Sequence, residues 1–139
     1  MLSQTAQYAL RTVVLIAARP PDQAVSVEEI ASELGVPRNY LSKTLHQLAR
    51  AGVLRSTRGP GGGFRLAVPA ARLPLVRIIE RFDDIGTGRR CLLGQPQCSD
   101  RKACRAHDRW KAAGEAIVAF FRDTTVADLL DGHRSAVAG

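Results

Sequence analysis

A glycine-rich run near the middle of the chain, Gly59-Pro60-Gly61-Gly62-Gly63, restricts the local structure more than any other feature. Proline and repeated glycine disfavour both a helix and a strand interior, so residues 57–63 must form a turn. The segments on either side, 53–56 and 64–68, carry short alternations of apolar and polar residues that are typical of strands. The sequence therefore predicts a β-hairpin with a narrow, glycine-rich turn.

Two short helices are predicted directly before this hairpin. Ser26 followed by Glu29 matches a capping box, which predicts a helix over 27–34 that ends at Gly35. A second helix is predicted to begin near Pro37 and to run to about residue 50. Two helices joined by a short glycine-containing turn form a helix-turn-helix, and the hairpin after them makes a winged helix. The predicted fold class is mainly α with a small β-hairpin wing.

The rest of the chain is predicted to be helical at its start and end, around a polar loop. Apolar residues recur at helical spacing over 3–18 and 73–82. The helix predicted over 107–122 has a broad apolar face, so we expect it to form a dimer interface or to pack on the first helix. The predicted parts are a winged helix-turn-helix DNA-binding domain (1–82), a cysteine-containing loop (83–106), a long dimerisation helix with a C-terminal turn (107–131) and a flexible tail (132–139).

The charge balance indicates a polyanionic partner. The 139 residues include 20 Lys and Arg against 13 Asp and Glu, a formal net charge of +7, and nucleic acid is the commonest partner of such a chain. No apolar run approaches ~18 residues and no basic signal region begins the sequence, which predicts a cytoplasmic protein without a membrane partner. A phosphate-binding glycine loop after a strand is absent, as are paired carboxylates beside His107, so an enzyme is not predicted.

The predicted second helix of the helix-turn-helix has one apolar and one polar face. Leu41, Leu45 and Leu48 recur at core spacing, which leaves hydrogen-bonding side chains on the other face, where a recognition helix reads the major groove. Arginines flank the wing turn, where they can approach phosphates or the minor groove. The acidic residues of the preceding helix are expected to lie away from this surface. The predicted DNA-contacting residues are Arg38, Asn39, Tyr40, Ser42, Lys43 and His46 on the helix and Arg55, Arg58, Gly59 and Arg65 in the wing.

All three cysteines fall in the polar loop. Cys91, Cys98 and Cys104 are followed by His107, one helical turn after the last cysteine. An odd number of cysteines in a reducing compartment disfavours a disulfide framework and favours metal or redox chemistry. Three thiolates and one imidazole suit a zinc ion or an iron–sulfur cluster, and the spacing does not choose between them. A thiol redox switch is the further alternative.

Several segments resemble the Rrf2 family of bacterial winged-helix regulators, in its iron–sulfur cluster-binding, IscR/NsrR-like branch. They are Tyr8-Ala9-Leu10, Tyr40-Leu41, the turn 51–54 and, most specifically, the wing 56–67. The resemblance implies a homodimer with a long, crossing C-terminal helix. It also implies a cluster whose state changes DNA affinity.

The same resemblance implies the ligands of the cluster. It makes Cys91, Cys98 and Cys104 the cysteine ligands and His107 the fourth ligand, with 2Fe–2S favoured over 4Fe–4S. Two features depart from the family pattern. Six residues separate Cys91 from Cys98 where relatives have five, and Gln7 stands where one branch has an acidic ligand.

The function predicted from these features is transcription regulation by a homodimer on a pseudo-palindromic operator in double-stranded DNA. The iron–sulfur cluster would sense redox conditions, nitric oxide or iron–sulfur status, and repression is the expected mode. The alternative keeps DNA binding but makes the cysteine loop a thiol switch or a zinc site. A winged helix that binds a protein rather than DNA is the competing prediction from another class; a steep loss of DNA binding with salt would exclude it.

Overall fold

A computed structural model describes residues 2–85, 101 and 105–130 of the chain. It is mainly helical with one small hairpin, which confirms the predicted fold class. No helix among the described residues combines the length and apolar character needed to cross a bilayer. The elements are α1 (Gln4–Ala17), α2 (Val27–Leu34), α3 (Arg38–Arg50), β1 (Leu54–Thr57), β2 (Gly63–Leu66), a 3₁₀ turn (Ala70–Arg72), α4 (Leu75–Ile79) and α5 (His107–Asp123), and residues 126–130 are helical.

Helix α2 has the ends that its sequence predicts. The Ser26 hydroxyl accepts a hydrogen bond from the Glu29 N–H at 3.2 Å, and Gly35 ends the helix in the left-handed conformation with φ of 66°. The second half of the capping box does not form, because the Glu29 carboxylate lies 2.8 Å from Nη1 of Arg19. A long-range ion pair thus replaces the predicted local contact.

The hairpin gains a third chain segment that the sequence does not predict. Strands β1 and β2 pair antiparallel, and each lies one residue from its predicted start. The Val25 N–H donates to the Phe64 carbonyl at 2.9 Å, and the Phe64 N–H donates to the Val25 carbonyl at 2.8 Å. The chain just before α2 therefore fixes the root of the wing to the helix-turn-helix.

The core lies between α1, α3, the hairpin root and α4. The three leucines of α3 are fully buried, as their spacing predicts, and Phe64 of β2 is 5% exposed. The described apolar residues with no exposed surface are Ala6, Ala9, Val13, Val25, Ile30, Leu41, Leu45, Leu48, Val53, Leu73, Ile78, Ile79 and Val126. This core packs α3 against the root of the wing.

Helix α4 is shorter than the predicted helix over 73–82. Residues 73 and 74 are extended and pair with the chain that follows α5, where the Val126 N–H donates to the Leu73 carbonyl at 2.9 Å. The Leu75 N–H donates to the Thr124 carbonyl, also at 2.9 Å, so the helix begins only at Leu75. These bonds join the chain after α5 to the winged helix.

Candidate nucleic-acid interface

The outer face of α3 presents the polar side chains that the sequence assigns to DNA. Arg38, Asn39, Lys43 and His46 are exposed, and Ser42 is half-buried. Because the buried leucines hold the opposite face in the core, these groups project to solvent from one side of the helix. A helix exposed in this way suits the width of the major groove.

Tyr40 packs against α1, a contact that the sequence does not predict. Its hydroxyl lies 2.6 Å from Oγ1 of Thr5, and its ring meets Tyr8 edge to face with the centroids 5.8 Å apart. The guanidinium of Arg11 lies over the ring of Tyr8, with its Cζ atom 5.9 Å from the ring centroid. Tyr40 therefore joins the start of the recognition helix to the start of α1, although 37% of it stays exposed.

His46 links α3 to the wing. Its ring lies 6.1 Å from the ring of Phe64 at an interplanar angle of 74°. Because Phe64 also pairs with Val25, the imidazole contacts the part of the hairpin that is hydrogen-bonded to the chain before α2. We expect His46 to set the angle between the helix and the wing in addition to any contact with DNA.

The wing carries one arginine in its turn and two in its strands. Arg58 and Gly59 are exposed at the turn, which is closed by a hydrogen bond from the Gly62 N–H to the Gly59 carbonyl at 2.9 Å. Arg55 and Arg65 stand directly opposite each other in the strand register. Like charges in this position repel each other, and an anion between them would relieve the repulsion.

Arg65 differs from the other wing arginines because it is half-buried. Its Nε atom is enclosed and has no hydrogen-bond partner among the residues that the structure describes. The side chain lines a cavity of about 420 Å³ together with Pro20 and Gln23 of the α1–α2 connection. Arg58 is therefore better placed than Arg65 to meet a phosphate without rearrangement.

The sequence predicts that the acidic residues of α2 lie away from this surface. One of them does not. Glu29 and Glu33 pair with Arg19, at 2.8 and 2.6 Å. Glu28 instead lies 2.7 Å from Nε of Arg38, the first residue of the recognition helix. The expectation for Glu28 is wrong because the first turn of α2 lies beside the start of α3. A hydrogen bond to the backbone at Glu28 itself and the Arg38 guanidinium hold the pKa of this carboxyl below its usual value.

The three cysteines lie outside the described residues, and His107 is the one predicted metal ligand within them. His107 is the first residue of α5 and is 3% exposed. The described part of the chain contains no cluster of three His, Cys, Asp or Glu side chains with metal-binding geometry. The proposed ligand set thus stays a prediction.

Lys43→Ala is expected to weaken binding to every duplex by about tenfold and to reduce the slope of log affinity against log salt by about 1. The reason is that Lys43 is exposed on the outer face of α3, where an ammonium group meets phosphates. Fluorescence anisotropy titrations at several salt concentrations would measure both values. Arg72→Ala removes the same charge from the exposed 3₁₀ turn and serves as the control; equal effects of the two variants would contradict the assignment of Lys43.

Comparison with known proteins places this geometry in a family of regulators. A family model named Rrf2, described as an iron-dependent transcriptional regulator, matches residues 2–132. An HTH-type transcriptional regulator of Aquifex aeolicus is 37% identical over 133 residues, which cover 94% of this chain and 92% of that protein. The HTH-type transcriptional regulator IscR of Vibrio atlanticus is 27% identical over 129 residues, 93% of this chain and 74% of that protein.

Solved structures show the same fold. The T. potens IscR structure has a TM-score of 0.76 at 23% identity and covers 98% of this chain and 90% of its own. CymR of B. subtilis, described as the global cysteine regulator, has a TM-score of 0.77 at 21% identity, with 93% and 95% covered. With its family model spanning residues 2–132, this chain belongs to the Rrf2 family of transcriptional regulators, which are DNA-binding proteins and not enzymes.

Proposed function

We propose that this regulator acts as a homodimer whose affinity for a pseudo-palindromic operator is controlled by an iron–sulfur cluster. Cys91, Cys98, Cys104 and His107 would hold the cluster, with 2Fe–2S favoured, and the protein would act on DNA in the cytoplasm as a repressor. The single observation that carries this proposal is the donor set of residues 91–107, in a chain whose family model is described as iron-dependent. The recognition helix and the wing would bind the operator.

The donor set fits an iron–sulfur cluster chemically. Thiolates are the usual ligands of such clusters, and an imidazole can replace a thiolate at one iron. His107 is 3% exposed at the start of α5, so its ring is shielded from water next to the segment that carries Cys104. When bound, the cluster would supply a centre whose oxidation, loss or reaction with nitric oxide changes the local charge and ligation.

A chain of contacts leads from the beginning of the cysteine loop to the recognition helix. The Ser3 N–H donates to Oδ2 of Asp83 at 2.8 Å, and the Ser3 hydroxyl caps α1 by accepting from the Ala6 N–H at 3.1 Å. Two residues after Ser3, in the first turn of α1, Thr5 contacts the Tyr40 hydroxyl of α3. A change in the loop that moves Asp83 would therefore act on the start of α1 and on α3. If the two states of the loop differ by about 1–3 kcal/mol in the free energy of DNA binding, the DNA affinity changes by about 5- to 150-fold.

The exposed side of α5 supports the homodimer. Phe121 is 6% exposed and belongs to the core, whereas its neighbour Phe120 is 50% exposed. The two rings meet edge to face with centroids 5.2 Å apart. Ile117 and Val118 are half-buried beside them. A second copy of this helix would cover an apolar surface that water otherwise contacts.

Phe120→Glu is expected to weaken dimerisation by about 2 kcal/mol, which is about thirtyfold in the dissociation constant, because it places a charge in the apolar contact. Sedimentation velocity over a range of concentrations would measure the shift. Arg122→Gln lowers the net charge by the same amount, but Arg122 lies on a different side of α5 from Phe120. This variant should leave the dimer intact. A Phe120→Glu protein that dimerises like wild type would remove α5 from the proposed interface.

The test of the proposed function compares DNA binding by the cluster-loaded and the cluster-free protein. Both forms would be titrated anaerobically on a duplex from the region upstream of the protein's own gene. We expect the two affinities to differ by about tenfold or more, with circular dichroism confirming that both forms are folded. Equal affinities of the two folded forms would contradict control by the cluster.

A further inference from the structure

The contact between α2 and α3 places a carboxylate on one edge of a DNA-facing guanidinium. Oε1 of Glu28 accepts a hydrogen bond from Nε of Arg38 at 2.7 Å. Arg38 makes no other side-chain hydrogen bond or ion pair with the described residues, so its two terminal nitrogens keep their donors. Those donors lie at the first residue of the recognition helix, where side chains reach base edges.

This pair does little for the stability of the fold. The Arg38 side chain is 62% exposed and the Glu28 side chain 64%. Ion pairs as exposed as this one contribute little to folding, because water and salt screen them. Its main consequence is the orientation of the guanidinium, since a bond to Nε leaves the fork of terminal nitrogens directed away from the carboxylate.

The chemistry of guanine matches the donors that remain. Guanine presents two acceptors, O6 and N7, in the major groove, and the terminal nitrogens of an arginine donate to both at once. A phosphate also attracts arginine, but it would bring its own negative charge towards Glu28. The carboxylate is ionised at neutral pH, as glutamate ordinarily is, and the backbone hydrogen bond and Arg38 lower its pKa further. Glu28 therefore opposes the non-specific contact and is compatible with the specific one.

We propose that Glu28 is a positioning residue for sequence recognition, which holds the Arg38 guanidinium by Nε so that its terminal nitrogens read one guanine in each half-site. This inference rests on DNA recognition by α3, and it adds a residue of the preceding helix that has no role of its own in the predicted DNA contacts. Without Glu28, Arg38 turns to the phosphates. Affinity for random DNA then rises while selectivity at one base pair falls.

The experiment selects bound sequences from a random duplex pool with four proteins and one control variant. They are the wild type, Glu28→Ala, Glu28→Gln and Arg38→Ala, with Glu33→Ala as a matched control that removes a charge from the same helix but from the partner of Arg19. Affinity for one random-sequence duplex is measured in parallel, and circular dichroism checks that each variant is folded.

The wild type is expected to select a guanine at one position of each half-site, and Arg38→Ala should lose that preference. Glu28→Ala should lose it at the same position and bind random DNA about three- to tenfold more tightly. Glu28→Gln should keep part of the preference, because its amide oxygen still accepts from Nε. A residue that acted only through its charge would give equal results for the alanine and glutamine variants.

Three results would overturn the inference. They are an unchanged guanine preference in Glu28→Ala, an effect of Glu33→Ala equal to that of Glu28→Ala, or equal behaviour of Glu28→Ala and Glu28→Gln. The wild-type arm separates this inference from the proposed function. If the wild type selects a palindromic sequence while the Glu28 variants select the same one, only the inference fails; a wild type that selects no sequence contradicts both.

Discussion

Replacing Cys91 and Cys104 together by alanine is expected to abolish iron and sulfide binding and to leave a folded dimer. Two of the four proposed ligands are lost, and the remaining thiolate and imidazole cannot hold a cluster. Neither cysteine belongs to α5 or to the core that the described residues form, so the unfolding transition and the oligomeric state should stay close to those of the wild type. The difference in DNA affinity between anaerobically reconstituted and untreated protein should disappear.

The measurement combines iron and sulfide analysis with DNA titrations of both preparations. Gln97→Ala together with Ser99→Ala changes the same loop without removing a proposed ligand, and it should retain both the cluster and the response. A cysteine double variant that still bound iron and sulfide in equal amounts would refute the ligand assignment. Loss of the response in the Gln97 and Ser99 variant would show that the loop itself, rather than the cluster, is required.

Gly63→Ala is expected to destabilise the protein by about 3 kcal/mol and to weaken DNA binding by about tenfold or more. A Cβ atom at this position would lie 2.3 Å from the Val25 carbonyl oxygen and 2.6 Å from the Val25 carbonyl carbon. Strand β2 would have to move away, and both hydrogen bonds between Val25 and Phe64 would weaken. Overpacking and the loss of two backbone hydrogen bonds together reach about this cost.

Urea denaturation gives the stability change, and titration with operator DNA gives the effect on the wing. Gly61→Ala is the matched control, because Gly61 has φ of 74° but no atom of the described residues within 4 Å of the added Cβ. That variant should cost about 1 kcal/mol, from the left-handed backbone alone. Equal destabilisation by the two variants would mean that the close approach of Val25 does not fix the wing.

Much of the fold could be predicted from the sequence because local chemistry decides it. Ser26 and Gly35 determine the ends of α2 without help from distant residues. The leucine spacing identifies the buried face of α3, and the burial of all three leucines confirms it. The glycine run excludes every regular alternative to a turn between β1 and β2. In each case the cause lies within a few residues of its effect.

The sequence failed where contacts between distant residues decide the structure. The predicted helix over 73–82 lost its first residues to backbone pairing with the chain after α5, some 50 residues away. Apolar spacing predicts a helix there equally well whether or not that pairing exists. Val25 likewise lies outside the predicted strands, yet it pairs with β2. No local pattern reports such contacts.

The candidate interface shows the same division. The polarity of α3 correctly predicted that Arg38, Lys43 and His46 are exposed, although Ser42 is half-buried. It could not show which residues hold these side chains in place. Tyr40 contacts Thr5, and Arg38 contacts Glu28; both partners belong to other helices. The cysteine ligands lie outside the described residues and stay a prediction from composition and resemblance.

The most direct test of cluster control is the metal and sulfide content of protein purified without oxygen. Iron, acid-labile sulfide and zinc would be counted per chain, and a visible spectrum recorded on the same sample. The proposed function predicts coloured protein with equal iron and sulfide, about two of each per chain for a 2Fe–2S cluster. Colourless protein that stays colourless after reconstitution with iron and sulfide would contradict it, and zinc in that protein would make the cysteine loop a zinc site.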